Sequence, residues 1–342
     1  MIATFIIPTV ENKECGKCFL IFQTWNFGAR YTMAETSPII IQLDIGKAVD
    51  KYTVAKKLGE GTFAAVYAVQ DAKGNKYALK AESVNEKIPL LRLELFVMQR
   101  LQAKNAVHMA DLIDKGRVEN FNYIVMKLLG KSLQVAKKTG PDRHLSLGPA
   151  IGCAIQCLEA LEELHWIGFL HRDVKPGNFA IGRAETGELR KLFILDFGMC
   201  RRFVNKENVM LQPRKRAPFR GTPRYAPIAS HLGKEHCRKD DIESWFYMLI
   251  DFTNAKLPWK GTTDIRDVGK MKMDSRQEPV LSELMQLCPV EEFKQVLDYI
   301  DGLTFFDEPN YDMIYMTLRE AMKKKGVSEF PYDWEKENVI SS

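Results

Sequence analysis

The chain has 342 residues, room for one large domain or two ordinary ones. With 46% hydrophobic and 27% charged residues, its composition is that of a globular, water-soluble protein rather than a disordered one. A net charge of +5 is too small to argue for a nucleic-acid partner, and no apolar run reaches the roughly 18 residues that a membrane span needs.

Residues 1–50 show no sustained period and read as an extension, expected to be flexible, with Met33 offering a second start. The first ten residues have no basic region and no small-residue cleavage site, which argues against a secretory leader. Seven cysteines, an odd number spread along the chain, suit a reducing compartment, the cytoplasm with or without the nucleus. Cys15 and Cys18 form a Cys-x-x-Cys with no second pair and no histidine partner, and they read as incidental.

From Tyr52 the pattern changes. Residues 52–58, 64–70 and 76–81 are short strand-like runs separated by glycine-containing turns, an antiparallel meander. Residues 88–102 read as a helix and 123–127 as a further strand, ending near Gly130. Beyond that point helices dominate. Ile151, Ala154, Ile155, Leu158 and Leu161 recur at helical spacing, and residues 241–252 are apolar almost all round, as in a helix buried on every side. The expected fold is α+β: a small β-rich lobe over residues 52–126, a join at 127–130, a larger helical lobe over 131–326 and a short tail over 327–342.

Between the first two strands lies the sequence LGEGTFAAVY at 58–67. A glycine pair that opens a helix would signal a dinucleotide fold. Here a strand follows it, so the turn is a hairpin whose backbone N–H groups can lie over phosphates. An ordinary hairpin turn remains the plain alternative. Lys80 shifts the balance. It stands in the next strand with Ala78 on the same face, and Glu94 follows in a helix among Leu90, Leu91, Val97, Met98 and Leu101. A carboxylate facing such a core needs a cation, and Lys80 is the natural partner.

The strongest signals are HRDVKPGN at 171–178 and ILDFG at 194–198. Asp173 and Asn178 flank a tight Pro-Gly bend, so both can face one pocket. Asp173 is placed to take the proton of an attacking hydroxyl, and Lys175 to neutralise charge on a moving phosphoryl group. Asp196 ends a buried-looking strand. With Asn178 it supplies the hard oxygen ligands that Mg²⁺ prefers.

In this order, the glycine loop, strand lysine, helix glutamate, HRDxKxxN and DFG resemble the signature set of eukaryotic protein kinases, over residues 52–326. The lysine after HRD resembles the serine/threonine class. FNYIVM at 121–126, GFLHRD at 168–173, FRGTPRYAP at 219–227 and DDIESWFYML at 240–249 resemble the casein kinase 1 group. ALKAES at 78–83 and YDWEK at 332–336 are similar to its tau-tubulin kinase branch. The resemblance implies a bilobal kinase-like fold that binds ATP and Mg²⁺. ATP would lie against Leu58, Gly59, Glu60, Gly61, Thr62, Phe63, Ala64, Ala65, Val66, Ala78, Lys80, Met126 and Leu128, with Met126 as gatekeeper. Asp241 would brace the catalytic loop, and Arg224 would match the group's phosphate-recognition arginine, joined by Arg220 and Arg216.

Two positions depart from the common kinase pattern. Ala64 replaces a third glycine, which is acceptable if its φ is negative. Ile228 stands where a glutamate usually closes the Ala-Pro-Glu sequence, which removes an expected ion pair. The segment 197–221 is more unusual. It carries seven basic side chains against the single acid Glu207, a net +6 that leaves −1 for the rest of the chain. It contains no Ser, Thr or Tyr, so the usual activating phosphate has no acceptor before Thr222. The expectation is a monomeric enzyme competent once folded, acting on acidic or phosphorylated proteins, with a nucleotide-binding scaffold as the alternative. Cys153 and Cys157 read as core, the reach of an oxidant to Cys200 turns on its exposure and pKa, and His165, His231 and His236 show no metal spacing.

Overall fold

A computed structural model describes residues 39–254 and 256–335. The pair Cys15 and Cys18, and Met33, lie outside the described residues. The smaller lobe is one antiparallel sheet built from β1 (Ala48–Val49), β2 (Tyr52–Glu60), β3 (Ala64–Gln70), β4 (Lys76–Ser83), β5 (Leu112–Val118) and β6 (Phe121–Lys127). Its strand order is β1-β2-β3-β4-β6-β5. Because side chains alternate across a strand, β3 divides its residues between two cores. Ala65, Tyr67 and Val69 join a cluster on one face with Val54, Leu79, Ala81 and Val125. Val66 turns to the other face, where Ala78 and Met126 belong to the cluster that runs into the larger lobe.

Residues 39–49 were expected to be part of an extension, but they pack on the sheet. Ile41 and Leu43 are buried in the Tyr67 cluster. The Tyr67 hydroxyl accepts from the Leu43 N–H at 3.1 Å and donates to the Ile41 carbonyl at 2.8 Å. Helix α1 (Leu90–Ala103) buries Leu91, Glu94, Val97, Met98 and Leu101 along one stripe, the spacing of a helix that covers a single face.

The larger lobe is built on α3 (Leu147–Trp166) and α5 (Arg238–Asn254). From Asp240 onward every residue of α5 is buried. Its Trp245 ring N–H donates to the Ala154 carbonyl at 2.7 Å, which locks α5 to α3. The short hairpin β8 (Phe179–Ile181) with β9 (Leu192–Ile194), and the pair β7 (Phe169–Leu170) with β10 (Arg201–Arg202), carry the loops of the site. Helices α2 (Leu133–Ala136), α4 (Ile228–His231), α6 (Ile265–Asp274), α7 (Val280–Leu284), α8 (Val290–Gly302) and α9 (Tyr311–Lys325) complete the packing. The stretch after α9 was expected to be a tail, yet Tyr332 and Trp334 are fully buried. Asp333 accepts from the Ser146 N–H and hydroxyl at 2.8 and 2.7 Å, at the start of α3.

Candidate active site

The cleft face of the sheet presents Lys80. Its ammonium lies 2.5 Å from Glu94 Oε2 and 3.0 Å from Asp196 Oδ1. Glu94 is 3% exposed, so this lysine is what makes a carboxylate tolerable there. Burial works against the Lys80 charge, but the Asp196 and Glu94 carboxylates outweigh it and hold the ammonium above its ordinary pKa. The same ammonium holds Asp196 down to about 2. The charged pair of Lys80 and Asp196 is therefore fixed across the neutral range.

Asp196 has φ +65 and Arg172 has φ +67, a left-handed backbone that costs a non-glycine residue free energy. The surroundings enforce both. Buried at the end of α3 and on α5, His165 and Asp241 meet at 2.9 Å. Asp241 also accepts from the His171 N–H at 2.7 Å and the Arg172 N–H at 2.8 Å. Burial opposes the charge on Asp241, but the His165 hydrogen bond and these N–H groups keep it below the usual carboxylate range. On the other side of the loop, the His171 ring bonds the Leu195 carbonyl at 3.0 Å and sits against the Phe197 ring.

Asp173 follows directly. Its Oδ2 receives Lys175 Nζ at 2.6 Å, and its Oδ1 receives the Thr222 hydroxyl at 2.8 Å. Lys175 also donates to the Thr222 hydroxyl at 3.1 Å, which closes a three-residue ring. Asn178 gives its amide N–H to the Asp173 carbonyl at 2.8 Å, while its own carbonyl accepts from the Leu195 N–H at 2.8 Å. One residue thus ties the base loop to the strand end that presents Asp196. With the Asn178 nitrogen engaged, its side-chain oxygen is the atom left to act as a ligand. Among the described residues no cluster of three or more His, Cys, Asp or Glu forms a self-sufficient metal site. Two oxygen donors in a cleft fit Mg²⁺, which completes its shell from phosphate and water.

The glycine loop is a β2–β3 hairpin in which Gly59 pairs with Val66 and Glu60 with Ala65. The Gly61 N–H closes the turn on the Ala64 carbonyl at 2.8 Å. Ala64 is not among the residues with positive φ, so the missing glycine brings no backbone strain. Alternation turns the Ala65 side chain into the opposite core, where it is fully buried, so only its backbone is left to face the cleft. Leu58 is 46% exposed at the mouth, Val66, Ala78 and Met126 face the cleft side, and Leu128 packs partly buried just beyond β6. Glu60 is exposed and pairs with Lys57 rather than facing inward.

The three arginines named for substrate phosphate do not form one set. Arg220 shares a neighbourhood with Arg172 and Arg214, whose charges act on it or feel it. Arg224 lies instead toward Lys137 and Lys260. Arg216 is exposed. The exposure of Cys200 decides its reach. It is 3% exposed, and burial pushes its thiol well above the ordinary range, so it is not reachable by an oxidant. The ion pair expected to be lost at Ile228 is supplied from α5, where Glu243 accepts from the Ile228 N–H at 3.1 Å and pairs with Arg276 at 3.2 Å. Sequence reasoning missed Thr222 as a partner of Asp173. Its only signal was its place as the first hydroxyl after the basic segment.

Comparison with known proteins bears on the class. The protein kinase domain family matches residues 52–323. The chain is 36% identical over 287 residues to a Dictyostelium discoideum protein named "Probable serine/threonine-protein kinase", covering 83% of this chain and 56% of that protein. It is 35% identical over 291 residues to the serine/threonine-protein kinase spe-6 of Caenorhabditis elegans, covering 83% and 76% of the two chains. The chain thus spans about half the length of the first relative and three quarters of the second. It belongs to the protein kinase domain family, with serine/threonine kinases as its relatives, and membership brings ATP and a divalent metal. No helix among the described residues is long and apolar enough to cross a membrane.

Proposed function

We propose that this chain moves the γ-phosphoryl group of ATP to serine or threonine of acidic or already phosphorylated proteins, without needing a phosphate in its own activation segment. The observation that carries this reading is the Asp173, Lys175 and Thr222 ring, tied through Asn178 to the strand that presents Asp196. Asp173 takes the proton of the acceptor hydroxyl as its oxygen bonds to the γ-phosphorus and the bond to ADP breaks. Lys175 offsets the charge on the transferred group, and Lys80 holds the α- and β-phosphates. Mg²⁺ held by Asn178 and Asp196 would neutralise phosphate charge. Most of the acceleration comes from positioning and fixed charge.

The acidic or primed substrate is supported by the +6 segment beside Asp173 and by Arg224, since a guanidinium fork takes two phosphate oxygens. The motifs that resemble the casein kinase 1 group and its tau-tubulin kinase branch support reading the chain as a member of that group. The five cysteines among the described residues are buried and free, which suits a reducing cytoplasm or nucleus. We take the active form to be a monomer with no nucleic-acid partner.

The test is labelled ATP with Mg²⁺ and two peptides that differ only by a phosphate upstream of the target serine. Wild type should transfer to both and favour the primed peptide. That advantage should shrink with added salt, because the screening length falls to ~8 Å at physiological strength. Asp173→Asn should lose about 10²-fold or more. Phosphatase treatment should leave the rate unchanged. Nucleotide binding without transfer would overturn the reading in favour of a scaffold, and equal rates for the two peptides would reject the primed substrate.

A further inference from the structure

The basic segment from Phe197 to Gly221 presents a physical problem. Seven cations and one acid in 25 residues repel one another, yet the segment must lie still beside Asp173. In kinases that are switched on by phosphorylation, an added phosphate supplies the missing anion and draws arginines together. Here the segment has no hydroxyl to carry one. Its own acid, Glu207, is exposed at a turn.

The anion arrives from elsewhere in the chain. Glu235 lies between α4 and α5, and its side chain is 5% exposed. Both of its oxygens are engaged. Arg214 grips the carboxylate through Nε and through Nη2, the latter at 2.9 Å from Oε1. Arg201 Nε reaches Oε1 at 3.3 Å. Arg201 and Arg214 stand near the two ends of the segment, so one carboxylate closes it into a loop.

The link continues to the catalytic base. Arg201 pairs with Leu170 in the β10–β7 ladder, just ahead of the HRD sequence. Arg172, the residue before Asp173, donates to the Met199 carbonyl at 2.8 Å and to the Cys200 carbonyl at 3.4 Å. The charge on Glu235 also favours the buried Arg172 guanidinium, against the repulsion of Arg220 and Arg201.

We propose that Glu235 is a positioning residue, a fixed internal anion that stands in for an activation-segment phosphate and holds Arg201, Arg214 and Arg172 in their working arrangement. This rests on the reading of the chain as a kinase that needs no phosphate there, and it names the group that makes such independence physical. The substituted carboxylate cannot be removed by a phosphatase, so the switch is permanently set.

The experiment is hydrogen exchange on the full chain together with steady-state kinetics. Glu235→Gln keeps the shape and removes the charge. Exchange over residues 201–216 should rise about tenfold or more, the scale of one charge-assisted bidentate contact. The KM for peptide should rise by a similar factor while the KM for ATP stays within about twofold, a split that general loss of folded protein does not produce. Glu235→Asp, which keeps the charge, should restore most of the effect. Wild-type exchange in Glu235→Gln would overturn the proposal. If that variant does not fold, Arg214→Gln replaces it, because the Arg214 side chain is 41% exposed and its loss opens no core. Unchanged exchange in Arg214→Gln would likewise overturn the proposal. A wild type that loses activity to phosphatase, with a segment still loosened by Glu235→Gln, would sink the phosphate-independent reading and leave the anchor standing.

Discussion

Replacing Asp241 by Asn tests how the buried helix controls the catalytic loop. The carboxylate receives three donors, the His171 and Arg172 N–H groups and the His165 ring, at 2.7, 2.8 and 2.9 Å. A carboxylate meets donors with both oxygens, but an asparagine has only one. If the amide oxygen faces Arg172, the NH₂ group opposes both His171 and His165. If it flips, the NH₂ opposes Arg172. The second choice strands fewer groups, leaving one backbone N–H and one amide N–H facing each other where the residue is 1% exposed. At about 1–3 kcal/mol for each buried unsatisfied group, the loss is about 2–6 kcal/mol. That corresponds to a melting temperature lower by on the order of 5–15 °C. The stranded N–H belongs to the residue before the base, so kcat should fall about 10²-fold with a small displacement of Asp173. The KM for ATP should hardly change, because the Lys80 pair is remote from the substitution in the hydrogen-bond network. The assay is peptide phosphorylation alongside calorimetric melting. A kcat within twofold of wild type and an unshifted melt would refute the reasoning.

Thr222→Ala removes the hydroxyl shared by Asp173 and Lys175 and should lower kcat about tenfold, near 1.4 kcal/mol. Thr222→Ser should stay within about threefold, and equal kcat for wild type and Thr222→Ala would dismiss the ring as incidental. His236 gives a pH prediction. It is 4% exposed, neither ring nitrogen has a hydrogen-bond partner among the described residues, and burial pushes its pKa down to about 4. A depressed folded pKa means that stability is held above the unfolded value near 6.5 and is lost as pH falls through 4, up to about 3 kcal/mol. Burial moves Asp240 the opposite way, to about 7, and that contribution is common to both proteins when wild type is compared with His236→Leu. Chemical denaturation from pH 7 to 4 should show wild type losing stability relative to the variant, and parallel curves would reject the assignment.

Residues whose chemistry is local were legible in the sequence. HRDVKPGN sets Asp173, Lys175 and Asn178 within one bend, and DFG puts Asp196 at a strand end, because the spacing alone limits where they can point. Glu94 was legible for a related reason: apolar neighbours at helical spacing turn it inward, and a buried carboxylate requires a cation. Other features had no local signal. The edge strand β5, with sequence LIDKGRV, buries neither face strongly, so its pattern is mostly polar and was not read as a strand. The direction of the Ala65 side chain had no such signal either, because adjacent residues of a strand face opposite cores. The packing of residues 39–49 and of Tyr332 and Trp334 depends on surfaces made by distant elements.

The sequence by itself determined the class, the order of the catalytic groups and the +6 charge of one segment, all of which are properties of residue type and spacing. Only the tertiary structure decided what balances that charge. Glu235 is 21 residues from Arg214 along the chain, and no periodicity links them. The same holds for Thr222 on Asp173, 49 residues apart, and for Glu243 at Ile228, 15 residues apart. Ionic and hydrogen-bonded pairs act over a few ångströms in space and are blind to distance along the chain. They become visible only when folding brings their ends together.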